Sequence, residues 1–487
     1  MNQFILFILS HLKDALFFAM FAVLIFGILL LFAKKRFDTK YEGTKTFPIK
    51  KILLFLVFVA YIAVLLSATI LRGGYGGGFH LHLFSGWIEA WNNFSVKSWL
   101  NLLLNIALFV PLGFLLPLLS KKFEHPLLTL ITGAGVSFSI ELGQVFLKRG
   151  LFDVDDLFTN TLGNFIGYSV ILFVLTLKNR PPKIECYSFS YLHDDFLISN
   201  KRMLKHRRNK LIGASIVPIA TLLTIGGIFL AYQVKEYGNL PYAPTYRINT
   251  TNVEWVLSAN LSNTSPEVLI CKATPLTQKT CEDFGYAFME RAGHADGMHV
   301  QHYDEDTYFM NNASGYFLEV CRYDGSYRFH QISMDKATPQ KADEATIREA
   351  LAFYGISIPK NATFTYEKDG WHSFTVERTN QSELGGTLRC QYTTENKLCE
   401  IQNNLIQYQP YKTKTILSPM EAYKKLTNGN FSANGYFEEN LPIKAEVLSY
   451  ELTYQIDTKG FYQPVYRFKV MLDDADTDGL ILQVSAM

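Results

Sequence analysis

Residues 127–177 read LLTLITGAGVSFSIELGQVFLKRGLFDVDDLFTNTLGNFIGYSVILFVLTL. Two apolar runs, 127–147 and 157–177, each match the ~20 residues with which a helix crosses a bilayer core. They flank a short polar connection from Lys148 to Asp156. Working outward, four further runs of that kind occur at 15–33, 52–71, 100–119 and 211–232, and none follows. The first is not a cleaved signal, because Lys13 and Asp14 precede it and Lys34, Lys35 and Arg36 close it. The expected fold is an all-α polytopic membrane domain of six transmembrane helices, followed by an extracytoplasmic α+β domain.

Charge supports that division. Of 46 Lys+Arg and 44 Asp+Glu in 487 residues, 1–232 hold 23 and 12, whereas 233–487 hold 23 and 32. A basic, apolar half precedes an acidic, water-compatible one, which excludes a simple soluble enzyme. Lys and Arg beside a span are retained on the cytoplasmic side. Residues 34–51, 121–122 and 178–210 hold seven, two and nine of them. One alternation satisfies nearly all: N-terminus outside, six spans, and 233–487 outside. The chain then divides into an anchor (1–33), a membrane core (50–177), a basic cytoplasmic loop (178–210), a sixth span (211–232) and the extracytoplasmic domain (233–487). The basic loop suits anionic lipid rather than nucleic acid.

Polar residues inside spans are costly unless paired, so they mark where to look. Glu141 and Gln144 share one face of the fourth span, and Lys148 continues that face if the helix runs on. Asn101 and Asn105 share a face of the third span, before Pro111 and Gly113, which are expected to loosen that helix. Arg149, Asp153, Asp155, Asp156 and Asn160 follow in the connection and the next helix. Topology brings Asn105, Glu141, Gln144, Arg149, the three aspartates and Asn160 to similar depth near the outer face. Simpler readings stand beside this. The aspartates suit a helix N-terminus, Gly163 and Gly167 have the spacing of close helix packing, and Asn105 and Gln144 suit interhelical hydrogen bonds.

The string Asn105-Ile-Ala-Leu-Phe-Val-Pro111-Leu-Gly113, then Glu141-Leu-Gly-Gln144, then Arg149 through Asp153-Val-Asp155-Asp156 to Asn160-Thr-Leu-Gly163 resembles the VanZ-like family of membrane proteins. The resemblance covers about residues 50–177, with Arg72 a looser match. It implies a bacterial cell-envelope protein, and the family's name-giving member is associated with low-level resistance to the glycopeptide teicoplanin.

Beyond Lys235, alternation replaces apolar runs. Residues 364–366, 374–376 and 388–392 read as strands after a helix at 345–354. Ser418-Pro419-Met420-Glu421 is a capping box opening a helix through Leu426, followed by strands at 447–456, 465–472 and 480–486. Helix then sheet occurs twice, suggesting two α+β modules, with 247–333 as a third. The last module is similar to PepSY-like and YycI-like extracytoplasmic modules, which implies binding or regulation. Asp474-Ala-Asp476-Thr-Asp478-Gly479 opens like a calcium loop but has Ser485 at the twelfth position, so a hairpin turn is expected. His294, His299, His302, Asp304 and Asp306 match no standard metal spacing, and His80 and His82 carry equally little. Cys186 is expected inside and reduced. Of the outward cysteines, Cys390 with Cys399 suits a hairpin bridge and Cys271 with Cys281 a short loop, leaving Cys321.

These readings lead to an envelope protein whose outer-leaflet polar pocket binds a membrane lipid or envelope precursor and lowers glycopeptide susceptibility. No cofactor, metal or catalytic nucleophile is expected. The alternative is a membrane-anchored sensor or adaptor whose outer domain binds a ligand or protein partner. An enzyme acting on lipid-linked precursors ranks third.

Overall fold

A computed structural model describes residues 20, 24–32, 34–37, 39–40, 48–71, 78–178, 193–303, 306–331, 339–367, 370–377, 384–394, 397–432, 443–472 and 479–487. They form two compact units, one built from the first 235 residues apart from 89–95, the other from 89–95 and 236–487.

In the first unit the helices are α1 (Ile49–Leu66), α2 (Ser85–Asn93), α3 (Val96–Leu119), α4 (Pro126–Phe146), α5 (Val154–Lys178) and α6 (His193–Val234). Five described helical stretches are long and apolar enough to cross a membrane: Ile49–Ile70, Val96–Leu119, Pro126–Phe146, Val154–Lys178 and Leu204–Val234. The chain is therefore a multi-pass membrane protein. Of the first expected span, 15–33, only residues 20 and 24–32 are described, and these are helical. The rest of that span lies outside the described residues, as do Arg72, residues 73–77 of the Gly-Gly-Tyr-Gly-Gly-Gly run that follows it, and Cys186.

Three expectations are corrected. Pro111 does not interrupt α3, which runs unbroken past both Pro111 and Pro117. The Tyr61 hydroxyl donates to the Leu108 carbonyl at 2.9 Å, an outside contact in the turn that Pro111 disturbs. The basic segment is helical from His193 and continuous with the last span, because Lys and Arg are good helix formers once a neighbouring span has nucleated the helix. The stretch after 78, with no expected element, holds α2 and the short strand β1 (Phe79–His80), which pairs in parallel with β2 (Phe152–Asp153).

The core of the bundle is Leu65, Phe109, Leu112, Leu116 and Ile140. Glycines let α3 and α5 approach closely. A Cβ at Gly163 would lie 2.0 Å from the Ile106 carbonyl oxygen, at Gly167 1.9 Å from that of Val110, and at Gly113 1.7 Å from that of Asn164. Gly113 and the Gly163/Gly167 pair thus serve one contact seen from its two sides.

The second unit is sheet-rich. Strands β3 (Val253–Leu257) through β16 (Leu480–Ser485) form one fourteen-stranded sheet. Helices α7 (Gln278–Arg291) and α8 (Glu344–Phe353) cover a core around Phe288, Phe309, Phe329 and Phe374. Helix α9 (Pro419–Thr427) covers another, around Phe431, Tyr466 and Phe468. Its cap is the one read from sequence: Ser418 Oγ accepts from Glu421 N, and the Glu421 carboxylate accepts from Ser418 N at 2.8 Å. The segment 247–333 is divided. Its β3 and β4 (Glu267–Ala273) pair with strands after 405, while β8 (Tyr327–Gln331), ending its run of four antiparallel strands, pairs with β12 (Leu398–Asn403).

No disulfide joins any two of the five described cysteines. Cys271 and Cys281 cannot bridge because they are buried in different cores. Burial pushes the Cys390 thiol up to about 12, with Cys399 beside it adding to the shift.

Candidate functional site

The polar residues singled out in the sequence gather at the end of the bundle where α4 gives way to α5. Helix α4 stops at Phe146, and Lys148 adopts a left-handed φ of 53°, so it leaves the face shared by Glu141 and Gln144. The chain folds back, and Asp153 N donates to Glu141 Oε2 at 3.1 Å. The Glu141 residue is 1% exposed.

The aspartates divide their tasks. Asp153 caps its own helix, its Oδ1 accepting from Asp155 N at 2.8 Å, and its Oδ2 lies 3.4 Å from His80 Nδ1. Asp155 reaches instead to the start of α2. Its carboxylate accepts from Phe84 N at 2.5 Å, Gly86 N at 2.7 Å and Ser85 Oγ at 3.2 Å, supplying acceptors to donors that a helix start leaves unpaired. Asp156 accepts from Asn105 Nδ2 at 2.5 Å, tying α5 to α3. Asn160 donates to Ser137 Oγ at 3.0 Å, tying α5 to α4, and Gln144 donates to the Thr69 carbonyl at 3.1 Å, tying α4 to the end of the first described span. Asn101 is exposed and takes no part in the bonds described here.

This network has a buried interior and an open rim. Glu141, Asp155 and Asn160 are buried, whereas the Asp153 and His80 side chains are one-third exposed and Arg149 is exposed. The carboxylates of Glu141, Asp153 and Asp156 are within Coulombic range of one another. Like charges so close repel, and of the three only Asp153 caps a helix, whereas Glu141 and Asp156 each accept one bond that a neutral amide could also accept.

Sequence reasoning set His80 aside with the metal-site candidates and missed Ser85, Ser137 and Thr69. A serine opening the amphipathic Trp87-Ile88-Glu89-Ala90-Trp91 is a start signal for α2 that was legible. Nothing local marked Ser137 or Thr69, whose roles depend on which helices meet.

Among the described residues, no group of three or more His, Cys, Asp or Glu is arranged to hold a metal ion. His302 pairs with Glu282 at 3.2 Å, and His294 stacks on Tyr316 at 4.4 Å. Burial holds His294 below the usual histidine range. Asp304 and residues 473–478, the calcium-loop look-alike apart from Gly479, lie outside the described residues.

Residues 18–176 match the family model described as VanZ/LLP1, which takes in the whole polar network and reaches further toward the N-terminus than the motifs alone. No curated protein matches the chain. Among solved structures, the Bacillus megaterium YpeB C-terminal domain is aligned over 44% of this chain and 100% of that one, at 11% identity and a TM-score of 0.16. A likeness that weak carries no argument.

Proposed function

We propose that this is a cell-envelope protein whose polar network lies in the outer leaflet, with the N-terminus and residues 233–487 outside the cell. There it binds an envelope component, a lipid headgroup or a lipid-linked precursor, and thereby lowers susceptibility to glycopeptides such as teicoplanin. The observation that carries the reading is the surplus of acid: Glu141, fully buried, shares its surroundings with Asp153 and Asp156. Ionisable groups inside a membrane domain are expensive, and the single bonds that Glu141 and Asp156 accept from Asp153 N and Asn105 could be accepted by neutral amides. The rim supplies complementary groups, since exposed Arg149 suits a phosphate and Asp153 with His80 suits hydroxyl or amine donors. The family match supports the envelope setting.

The test is teicoplanin susceptibility of cells with and without the chain, and with a version ending at residue 235. The proposal expects protection from the full chain and residual protection from the shortened one. Protection that disappears with residues 236–487 at unchanged membrane abundance favours the sensor or adaptor reading, with the spans as anchor.

A further inference from the structure

The segment between Gly78 and Ile88 has the surface pattern of a lipid-facing element, opposite to that of a water-exposed loop. Phe79, Leu81, Leu83 and Phe84 are 64%, 65%, 48% and 45% exposed. Its polar groups point the other way except for the exposed His82, whose ring meets that of His80 edge-on, centroids 5.8 Å apart. His80 lies against Asp153, and Ser85 Oγ and the N–H groups of Phe84 and Gly86 are taken up by Asp155.

Depth is fixed by two contacts in the same unit. Asp153 N bonds Glu141, and the Phe152 ring packs on Phe138 with centroids 5.8 Å apart. Glu141 and Phe138 precede the end of α4 at Phe146 by five and eight residues, hence by ~8 and ~12 Å at 1.5 Å per residue. Helix α4 has 21 residues, a length of ~31 Å, about the thickness of the hydrocarbon core. The β1–β2 ribbon, with Phe79 opposite Phe152 and His80 opposite Asp153, therefore lies inside the slab that α4 crosses. Phe84 follows it there, its ring 5.2 Å from that of Phe158, one turn into α5.

Non-helical backbone is tolerated at membrane depth only where protein groups satisfy it. Asp155 meets that condition. Phe84 adopts a φ of 68°, costly for an aromatic residue, and its N–H bond to Asp155 and its ring contact hold it there.

We infer that residues 79–88 form a re-entrant element whose apolar face contacts lipid acyl chains, with Asp155 as the internal acceptor that permits it. The occupant is lipid because the exposed apolar face lies at the depth of the spans and adjoins the exposed Leu151 and Phe158.

The test uses the full chain in lipid nanodiscs, with nitroxide labels on Leu81→Cys, Leu83→Cys and, as an aqueous reference, Glu89→Cys, in a background lacking the native cysteines. Collision with oxygen relative to a polar nickel complex is expected to be several-fold higher at 81 and 83 than at 89. Nickel access at 81 and 83 equal to that at 89 overturns the inference in favour of a water-exposed loop. Low access to both reagents overturns it in favour of a protein cover, a second copy included. If the cysteine-free background fails to fold, the same substitutions in the native chain are read with a membrane-impermeant maleimide as labelling in excess of that of the native chain, whose own six cysteines set the baseline. Protection until detergent is added supports the inference, and immediate labelling refutes it.

Discussion

Replacing Asp155 by alanine removes one carboxylate and strands three donors from a different part of the chain. Two are backbone N–H groups, of Phe84 and Gly86, and the third is the Ser85 hydroxyl. Asp155 is 3% exposed, so water cannot easily replace it. A buried donor left unmade costs ~1–3 kcal/mol, and with Ser85 still able to donate to the His82 carbonyl, the two N–H groups set a loss of ~2–6 kcal/mol. For a body of this size 1 kcal/mol corresponds to ~2–4 °C, so the melting temperature in detergent should fall by about 8–16 °C for a loss near ~4 kcal/mol. Asp155→Asn keeps one acceptor oxygen but turns an NH2 toward a donor, and should fall between alanine and wild type. Asp153→Ala is the comparison: one-third exposed, it caps only its own helix, a loss of ~1 kcal/mol. The assay is the temperature at which the purified protein loses its monodisperse size-exclusion peak. An Asp155→Ala midpoint within error of Asp153→Ala refutes the claim that this carboxylate holds the re-entrant segment.

Gly163→Ala should destabilise the bundle by ~3 kcal/mol, since its Cβ would sit 2.0 Å from the Ile106 carbonyl oxygen, whereas Gly135→Ala, with nothing within 4 Å, should be neutral or slightly stabilising in the same assay. Ser418→Ala should lower the stability of the second unit by ~1 kcal/mol, measured by denaturant unfolding. Hydrogen bonds from Ser418 hold the Glu421 carboxyl below the usual glutamate range, so their stabilisation is complete above the unfolded-state pKa and is lost as pH falls through the lowered one. The stability difference between wild type and Ser418→Ala should accordingly narrow on acidification. A difference that is unchanged or widens at low pH contradicts this.

Much of the architecture was legible because it rests on local signals. Apolar runs of bilayer length, the Ser418–Glu421 box and the strands at 364–366 and 388–392 each declare themselves within a few residues. Partners were not legible. The spacing of Asp153, Asp155 and Asp156 shows that carboxylates stand at a helix start. It cannot show that Asp153 caps its own helix while Asp155 serves another some 70 residues away. The glycine contact was legible from one side, as Gly163 and Gly167, whereas Gly113 was read with Pro111 as loosening its helix, because its role depends on the approach of Asn164. The division of 247–333 between two sheet regions is likewise a non-local pairing that no alternation pattern encodes. Cys271 and Cys281, ten residues apart in sequence yet unbridged and in separate cores, make the same point.

The central claim is that the buried acid at position 141 is there for binding rather than for locking helices, and one substitution separates the two. Glu141→Gln keeps size and an acceptor for Asp153 N, so the fold should survive. Teicoplanin susceptibility should be measured in cells carrying wild type, Glu141→Gln or no chain, with membrane abundance matched by blotting. The account predicts that wild type protects and that Glu141→Gln at equal abundance protects no better than no chain. Full protection by Glu141→Gln, or none by wild type, contradicts it.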